Sequence, residues 1–184
     1  MRLALVALMF LSCATVSPAP TPDNPCGLPN FSRVVTTGKT EVIRSAKPTP
    51  EQLSCLARYS KDKGGLSVFR LCRVSEGCEE SVPGATVLDF AMPPFTDDVL
   101  SSARGPSREI VARIEAKLRE IADAGGVILV HCVHGVDRTS FVSAMADVVV
   151  GGLSKTKAAL KEMLEHYMRP FPGLLGAWGD WSPK

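Results

Sequence analysis

Ten consecutive residues constrain this 184-residue chain more than all the others: His131-Cys132-Val133-His134-Gly135-Val136-Asp137-Arg138-Thr139-Ser140. Before them, Gly126-Val127-Ile128-Leu129-Val130 is a short apolar run of buried-strand type. After them, residues 138–150 are rich in Ala, Met and Val and predict a helix. A cysteine therefore sits where a strand turns into a helix. The first helical turn presents N–H groups without intrahelical partners and a partial positive charge. Such a site favours a thiolate over a thiol and holds a tetrahedral oxyanion.

Each residue of the loop has a chemical task. Cys132, as thiolate, can attack phosphorus in line. The N–H groups of Val133, His134, Gly135, Val136, Asp137 and Arg138 can wrap phosphoryl oxygens as a nest. Arg138 can clamp two of those oxygens bidentately, which a lysine cannot match. Gly135 permits a positive-φ turn. Thr139 is placed to donate its hydroxyl to the sulfur, and His131 to order the loop by hydrogen bonding rather than to move protons.

The order His-Cys-x5-Arg-Thr resembles the protein tyrosine phosphatase superfamily. Six cysteines make some Cys-x5-Arg unremarkable, but Gly, Thr and His in register bring chance to roughly one in ten thousand. The likeness extends to Asn30-Phe31-Ser32-Arg33-Val34 and to Val42-Ile43-Arg44-Ser45-Ala46-Lys47-Pro48-Thr49. These are similar to the opening of bacterial dual-specificity-like tyrosine phosphatases, which often read Asn-Phe…Tyr-Arg-Ser-x-x-Pro. An ordinary strand running into a helix-start turn would read much the same at residues 44–48. Residues 66–71 take the place of the next strand of that family and residues 158–163 that of the helix after the active site, so the likeness covers about residues 30–168. The resemblance implies a single-domain α/β cysteine-dependent phosphatase fold, with a central, mostly parallel sheet flanked by helices. It also implies hydrolysis of phosphoric monoesters through a phosphocysteine, without metal or other cofactor. Phosphotyrosine proteins are the first substrate class, phosphoinositides or inositol phosphates the second.

The leaving oxygen needs a proton. In the resembling families an aspartate on a loop some thirty-odd residues before the cysteine gives it. Here Ala91-Met92-Pro93-Pro94-Phe95-Thr96-Asp97-Asp98 stands at that separation, and Asp97 and Asp98 are the first candidates. Their alternative role is to cap the next helical turn. Asp137 is the runner-up: Cys-x2-Gly-x-Asp-Arg-Thr resembles myotubularin-type lipid phosphatases and some secreted bacterial tyrosine phosphatases, where this aspartate is proposed as acid or water-orienting group. A carboxylate paired with Arg138 or another base is its plainer reading. The variable positions Val133, His134 and Val136 carry no fixed cation, and His134 adds charge only at mildly acidic pH. This disfavours polyphosphorylated inositols, unless Arg44, Lys47, Arg104 or Arg108 compensates. Ser140 replaces the family's usual glycine.

Two rivals are separable by experiment. A rhodanese-like sulfurtransferase also uses a cysteine in an anion-cradling loop, but Gly-x-Asp-Arg-Thr argues for the longer phosphatase loop. A non-catalytic phospho-ligand module would bind without turnover, although every group needed for a phosphoenzyme is present.

The N-terminus predicts export. Met1-Arg2 precedes a nine-residue apolar run, too short to span a bilayer. Leu11-Ser12-Cys13-Ala14 resembles a bacterial lipobox, with Phe10 departing from the preferred leucine. It implies a signal peptide over residues 1–12, lipidation of Cys13, a tether over residues 13–29 and a catalytic domain over residues 30–184. Four prolines between Ser17 and Pro25 make that tether extended and semi-rigid. Ala14 rather than Asp after the cysteine points to the outer membrane, facing the periplasm; plain secretion with cleavage near Ala14 or Ala19 is the alternative. The net charge of +2 indicates no nucleic-acid surface. Cys26, Cys55, Cys72 and Cys78 remain, an even number for an oxidising compartment. Four cysteines allow three pairings. A local Cys72–Cys78 bridge would leave Cys26 with Cys55, pinning the N-terminal arm to a helix; buried free thiols are the alternative. No Cys-x2-Cys or Cys-x2-4-His spacing indicates a metal site.

Along the catalytic domain, strands are predicted at residues 34–35, 41–44, 67–72, 86–90 and 126–130. Helices are predicted at residues 50–60, with Thr49 as cap and Pro50 first, and at 106–124, with Ile110, Val111, Ile114, Leu118 and Ile121 on one stripe. A last helix covers residues 155–167. Strands alternating with helices imply an α/β sandwich, with the site at the strands' carboxyl ends. Trp178 and Trp181 are expected to pack on the core.

Overall fold

A computed structural model of the protein describes residues 18–78, 81–93, 105–166 and 172–183. The signal and lipidation segment, Cys13 included, lies outside the described residues, as do Asp97, Asp98 and Arg104. Five strands form one sheet: β1 (Ser32–Thr36), β2 (Thr40–Ser45), β3 (Leu66–Arg70), β4 (Ala85–Asp89) and β5 (Gly126–His131). Their order is β1-β2-β5-β3-β4. Only the β1–β2 hairpin is antiparallel; β2–β5, β5–β3 and β3–β4 are parallel. The sheet is thus mostly parallel, as the alternation of strands and helices implies.

The central strand explains the layering. Every residue of β5 is buried, so its apolar run has no polar face to offer water. Ile128 and Val130 enter one core with Val111, Ile114 and Leu118 of α2 (Arg108–Ala124) and Phe141, Val142 and Met145 of α3 (Asp137–Val149). Val127 and Leu129 point the other way, to Leu53 and Leu56 of α1 (Pro50–Ser60). Helix α1 starts as its sequence predicts: Thr49 and Gln52 form a capping box and Pro50 needs no N–H partner. Helix α2 is capped by the Ser107 hydroxyl and ends at Gly125, whose φ of 90° a side chain would strain.

Both bridges form, Cys26–Cys55 and Cys72–Cys78, leaving Cys132 as the free thiol among the described cysteines. The first ties the N-terminal arm to α1, and Leu28 is buried beside it, so the folded body begins inside the segment predicted as tether rather than at residue 30. Strands β3 and β4 each begin one residue earlier than their hydrophobic runs predict, and the helix predicted over 155–167 is α4 (Lys155–Glu165). A further helix, α5 (Pro172–Asp180), has no strong sequence period; Ala177 and Trp178 pack it against the core. Just beyond it, Trp181 is buried and donates its indole N–H to Glu115 at 2.7 Å, while Lys155 caps the carbonyl of Trp178 at 2.6 Å. Among the described residues no helix is long and apolar enough to cross a membrane.

Candidate active site

Residues 132–136 leave the carboxyl end of β5 and enter α3 at Asp137, so Cys132 lies where strand gives way to helix. Cys132 is buried, 3% exposed, and its sulfur accepts two hydrogen bonds: Gly135 N–H at 3.3 Å and the Thr139 hydroxyl at 3.1 Å. Both donors stabilise a negative sulfur.

The loop is shaped from behind. The Val133 carbonyl accepts the Lys47 N–H at 3.1 Å, and the carbonyls of His134 and Gly135 each accept from the Asn30 amide at 3.1 Å. The Arg44 guanidinium also donates to the Gly135 carbonyl. In a planar trans peptide the C=O and N–H point opposite ways. Three carbonyls held outward therefore turn the N–H groups of His134, Gly135 and Val136 toward the sulfur side, where Gly135 N–H is found. Gly135 makes this possible. Its φ is 69°, and a Cβ there would stand 2.5 Å from the Ala46 nitrogen.

Arg138 is 6% exposed and fixed on one edge. Its Nη1 and Nη2 grip the two carboxylate oxygens of Glu76 at 3.0 and 2.8 Å, and Nη1 also reaches the carbonyls of Leu71 and Met92 at 3.3 and 3.2 Å. A guanidinium has five N–H donors. Among the described residues these bonds leave the Nε–H and the second Nη2–H, a parallel fork, for an oxyanion. The guanidinium in turn holds the Glu76 carboxyl below its usual range.

Arg44, one of the four basic residues that could have compensated for the uncharged loop, is not available to a substrate. It is fully buried, ion-paired with Glu162 of α4 and bonded to the loop from beneath. Burial pushes Glu162 up to about 7, with the Arg44 charge pulling the other way. Arg108 is also turned elsewhere, paired with Asp180 at 3.0 Å. Lys47 is exposed, and its ammonium packs against Gly77, 3.0 Å from where a Cβ would sit.

Among the other candidates, His134 is exposed, Val133 and Val136 are partly covered, and half-buried Asp137 opens α3 beside Arg138. His131 is fully buried at the end of β5, and its carbonyl accepts the Leu71 N–H at 3.0 Å. Its ring lies within 4.8 Å of the Cys72 and Cys78 sulfurs, which as a disulfide are not thiolate ligands for a metal. Asn30, Glu76 and Glu162 escaped sequence reasoning. The available signals were Asn30 in the family-like opening and Glu76 between two cysteines.

No protein-family model matches the chain, and no curated protein matches it. Solved structures do. The active form of Tk-PTP shares 21% identity, covers 81% of this chain and 95% of its own, and superposes with a TM-score of 0.58. PTPMT1 in complex with PI(5)P gives 18%, 82%, 96% and 0.57. Human DUSP28 gives 20%, 89%, 94% and 0.51. At these identities the likeness establishes the fold, which is that of the tyrosine and dual-specificity phosphatases.

Proposed function

We propose that this chain hydrolyses phosphoric monoesters through a phosphocysteine on Cys132, with phosphotyrosine proteins as its substrates. One observation carries the reading: a buried sulfur, capped by an amide and a hydroxyl, at the floor of an N–H-lined loop flanked by a pre-positioned arginine. The thiolate attacks phosphorus, the P–O ester bond breaks, and the leaving oxygen takes a proton from Asp97 or Asp98, with Asp137 as the runner-up. Water then attacks the phosphocysteine and gives a proton to the same carboxylate. Phosphate leaves and the thiolate returns. Arg138 and the loop amides bear the phosphoryl charge in both steps.

Phosphotyrosine is favoured because the loop side chains at 133, 134 and 136 carry no fixed cation and Arg44 is committed to Glu162. An inositide is the second reading, supported by exposed Lys47, whose N–H bonds the loop carbonyl of Val133, and by the PI(5)P complex of a similarly folded protein. We place the enzyme on a lipid anchor at Cys13 of the bacterial outer membrane, with a tether shorter than its prolines suggest because residues 24–28 already belong to the folded body. Phosphate release from p-nitrophenyl phosphate and from a panel of phosphotyrosine peptide, phosphoserine peptide, phosphoinositides and inositol hexakisphosphate tests the activity. Wild type should release phosphate, most efficiently from phosphotyrosine, and Cys132→Ser none. Thiocyanate from thiosulfate, or oxyanion binding without any turnover, would overturn the reading.

A further inference from the structure

Residues 73–77 form a loop without a core of its own. Arg73, Val74, Ser75 and Gly77 are exposed, and Glu76 is half-buried. The flanking Cys72 and Cys78 are both buried, and the disulfide joins them across a sequence separation of 6. Within the loop, residues Val74–Glu76 make one short turn. The Arg73 N–H donates to the Glu76 carboxylate at 2.9 Å, and the Glu76 N–H donates to the Arg73 carbonyl at 2.9 Å. Gly77, at φ 77°, turns the chain back so that Cys78 can meet Cys72. A closed ring thus presents one carboxylate in a fixed direction, and that carboxylate grips Arg138 through two bonds.

The same segment meets the active-site loop at its root. Leu71, one residue before the ring, donates its N–H to the His131 carbonyl, and its own carbonyl accepts Arg138 Nη1. The two sulfurs lie within 4.8 Å of the His131 ring, next to Cys132 in the chain. An open chain of exposed residues would lose rotamer and backbone order readily, and Glu76 with it. Closing the ring removes those alternatives.

We propose that the Cys72–Cys78 disulfide is a functional lock on the phosphate clamp: oxidised, it fixes Glu76 so that Arg138 keeps its free fork aimed at the anion, and as a dithiol it releases both. This rests on the phosphatase reading. Glu76 is a positioning residue, touching Arg138 and not the substrate. Both cysteines are buried, so the lock opens by thiol–disulfide exchange when a local opening of the exposed ring 73–77 admits a reductant. A thiolate of a dithiol reductant attacks one sulfur, its second thiol completes the exchange, and the reductant leaves as a disulfide while Cys72 and Cys78 each carry a proton. A disulfide donor reverses the step with the opposite flow of two electrons. The enzyme would therefore be poor where thiols are kept reduced and competent where they are oxidised.

The test compares wild type, Glu76→Gln, Cys72→Ala/Cys78→Ala and the triple variant, in the full chain. The readouts are tungstate affinity, which needs Arg138 but no turnover, and kcat and KM for p-nitrophenyl phosphate. Glu76→Gln and the cysteine pair variant should each lose about 10- to 100-fold in kcat/KM, the scale of an ångström-sized misplacement. Tungstate affinity should fall with it. The triple variant should lose no more than either, because the disulfide acts through Glu76. Losses that multiply, or a cysteine pair variant with wild-type tungstate affinity, would overturn the lock. If that variant does not fold, graded reduction of the folded proteins replaces it, with alkylation and mass spectrometry reporting the Cys72–Cys78 bond. Tungstate affinity should then fall with bond loss in wild type and stay flat in Glu76→Gln. A flat response in wild type would refute the proposal. Tungstate binding that follows these patterns without any ester turnover would instead refute the phosphatase reading and leave the lock standing.

Discussion

Replacing Gly135 by alanine should damage stability and catalysis together. The new Cβ would stand 2.5 Å from the Ala46 nitrogen and 2.6 Å from the carbonyl carbon and oxygen of Ser45, where ordinary contact begins at 3.4 Å. All three are backbone atoms of the β2 end, so no side chain can swing aside. The loop must retreat by about 0.9 Å. Alanine at φ 69° costs about 1–2 kcal/mol, and overpacking typically adds about 1–3 kcal/mol. Gly135→Ala should therefore lose about 2–5 kcal/mol of stability. The retreat also lengthens the 3.3 Å bond from Gly135 N–H to the Cys132 sulfur and pulls the Gly135 carbonyl from Asn30 and Arg44. A shift of that size costs on the order of 10²-fold in rate. Urea denaturation gives the first quantity and kcat/KM on p-nitrophenyl phosphate the second. An alanine variant with unchanged midpoint and unchanged kcat/KM would refute the reasoning that this backbone approach builds the anion cradle.

The acid can be found by leaving-group dependence. Asp97→Asn or Asp98→Asn should depress alkyl phosphate hydrolysis more than aryl and erase the basic limb of the pH–rate profile. The same pattern in Asp137→Asn alone would move the role there. Glu162 makes stability depend on pH: burial raises it from 4.5 to about 7, so the folded chain keeps this proton where the unfolded chain has lost it. Its contribution is full below about 4.5 and is lost as pH rises through about 7; Glu162→Gln should flatten that limb in urea titrations, and an unaltered profile would contradict the assignment. Mass spectrometry of the bacterial membrane fraction should find diacylglyceryl and acyl adducts on Cys13, whereas a soluble product cleaved after Ala14 or Ala19 would remove the anchor.

Much of the site is legible because it is local. Cys132, Gly135, Arg138 and Thr139 lie within one strand–loop–helix turn, and the geometry of that turn dictates where each can point. Helical periodicity likewise marks α1 and α2, and an unbroken apolar run marks β5. What supports the loop is not local. Glu76 lies 62 residues before Arg138, and Glu162 lies 118 after Arg44. A carboxylate in a surface-like stretch gives no hint that it will meet a guanidinium brought by another element. Arg44 is subject to the same limit: the sequence offers it as one of four basic residues that could serve a substrate, and only α4 shows the carboxylate it serves. Helix α5 is held by Trp178 and Trp181 packing on the core, a tertiary effect that overrides its weak pattern.

The most direct measurement is trapping of the covalent intermediate. Wild-type protein mixed with ³²P-labelled phosphotyrosine peptide and quenched in denaturant should carry label on the peptide containing Cys132, with none on Cys132→Ser. Turnover of the substrate by Cys132→Ser, or label found on another residue, would contradict the account.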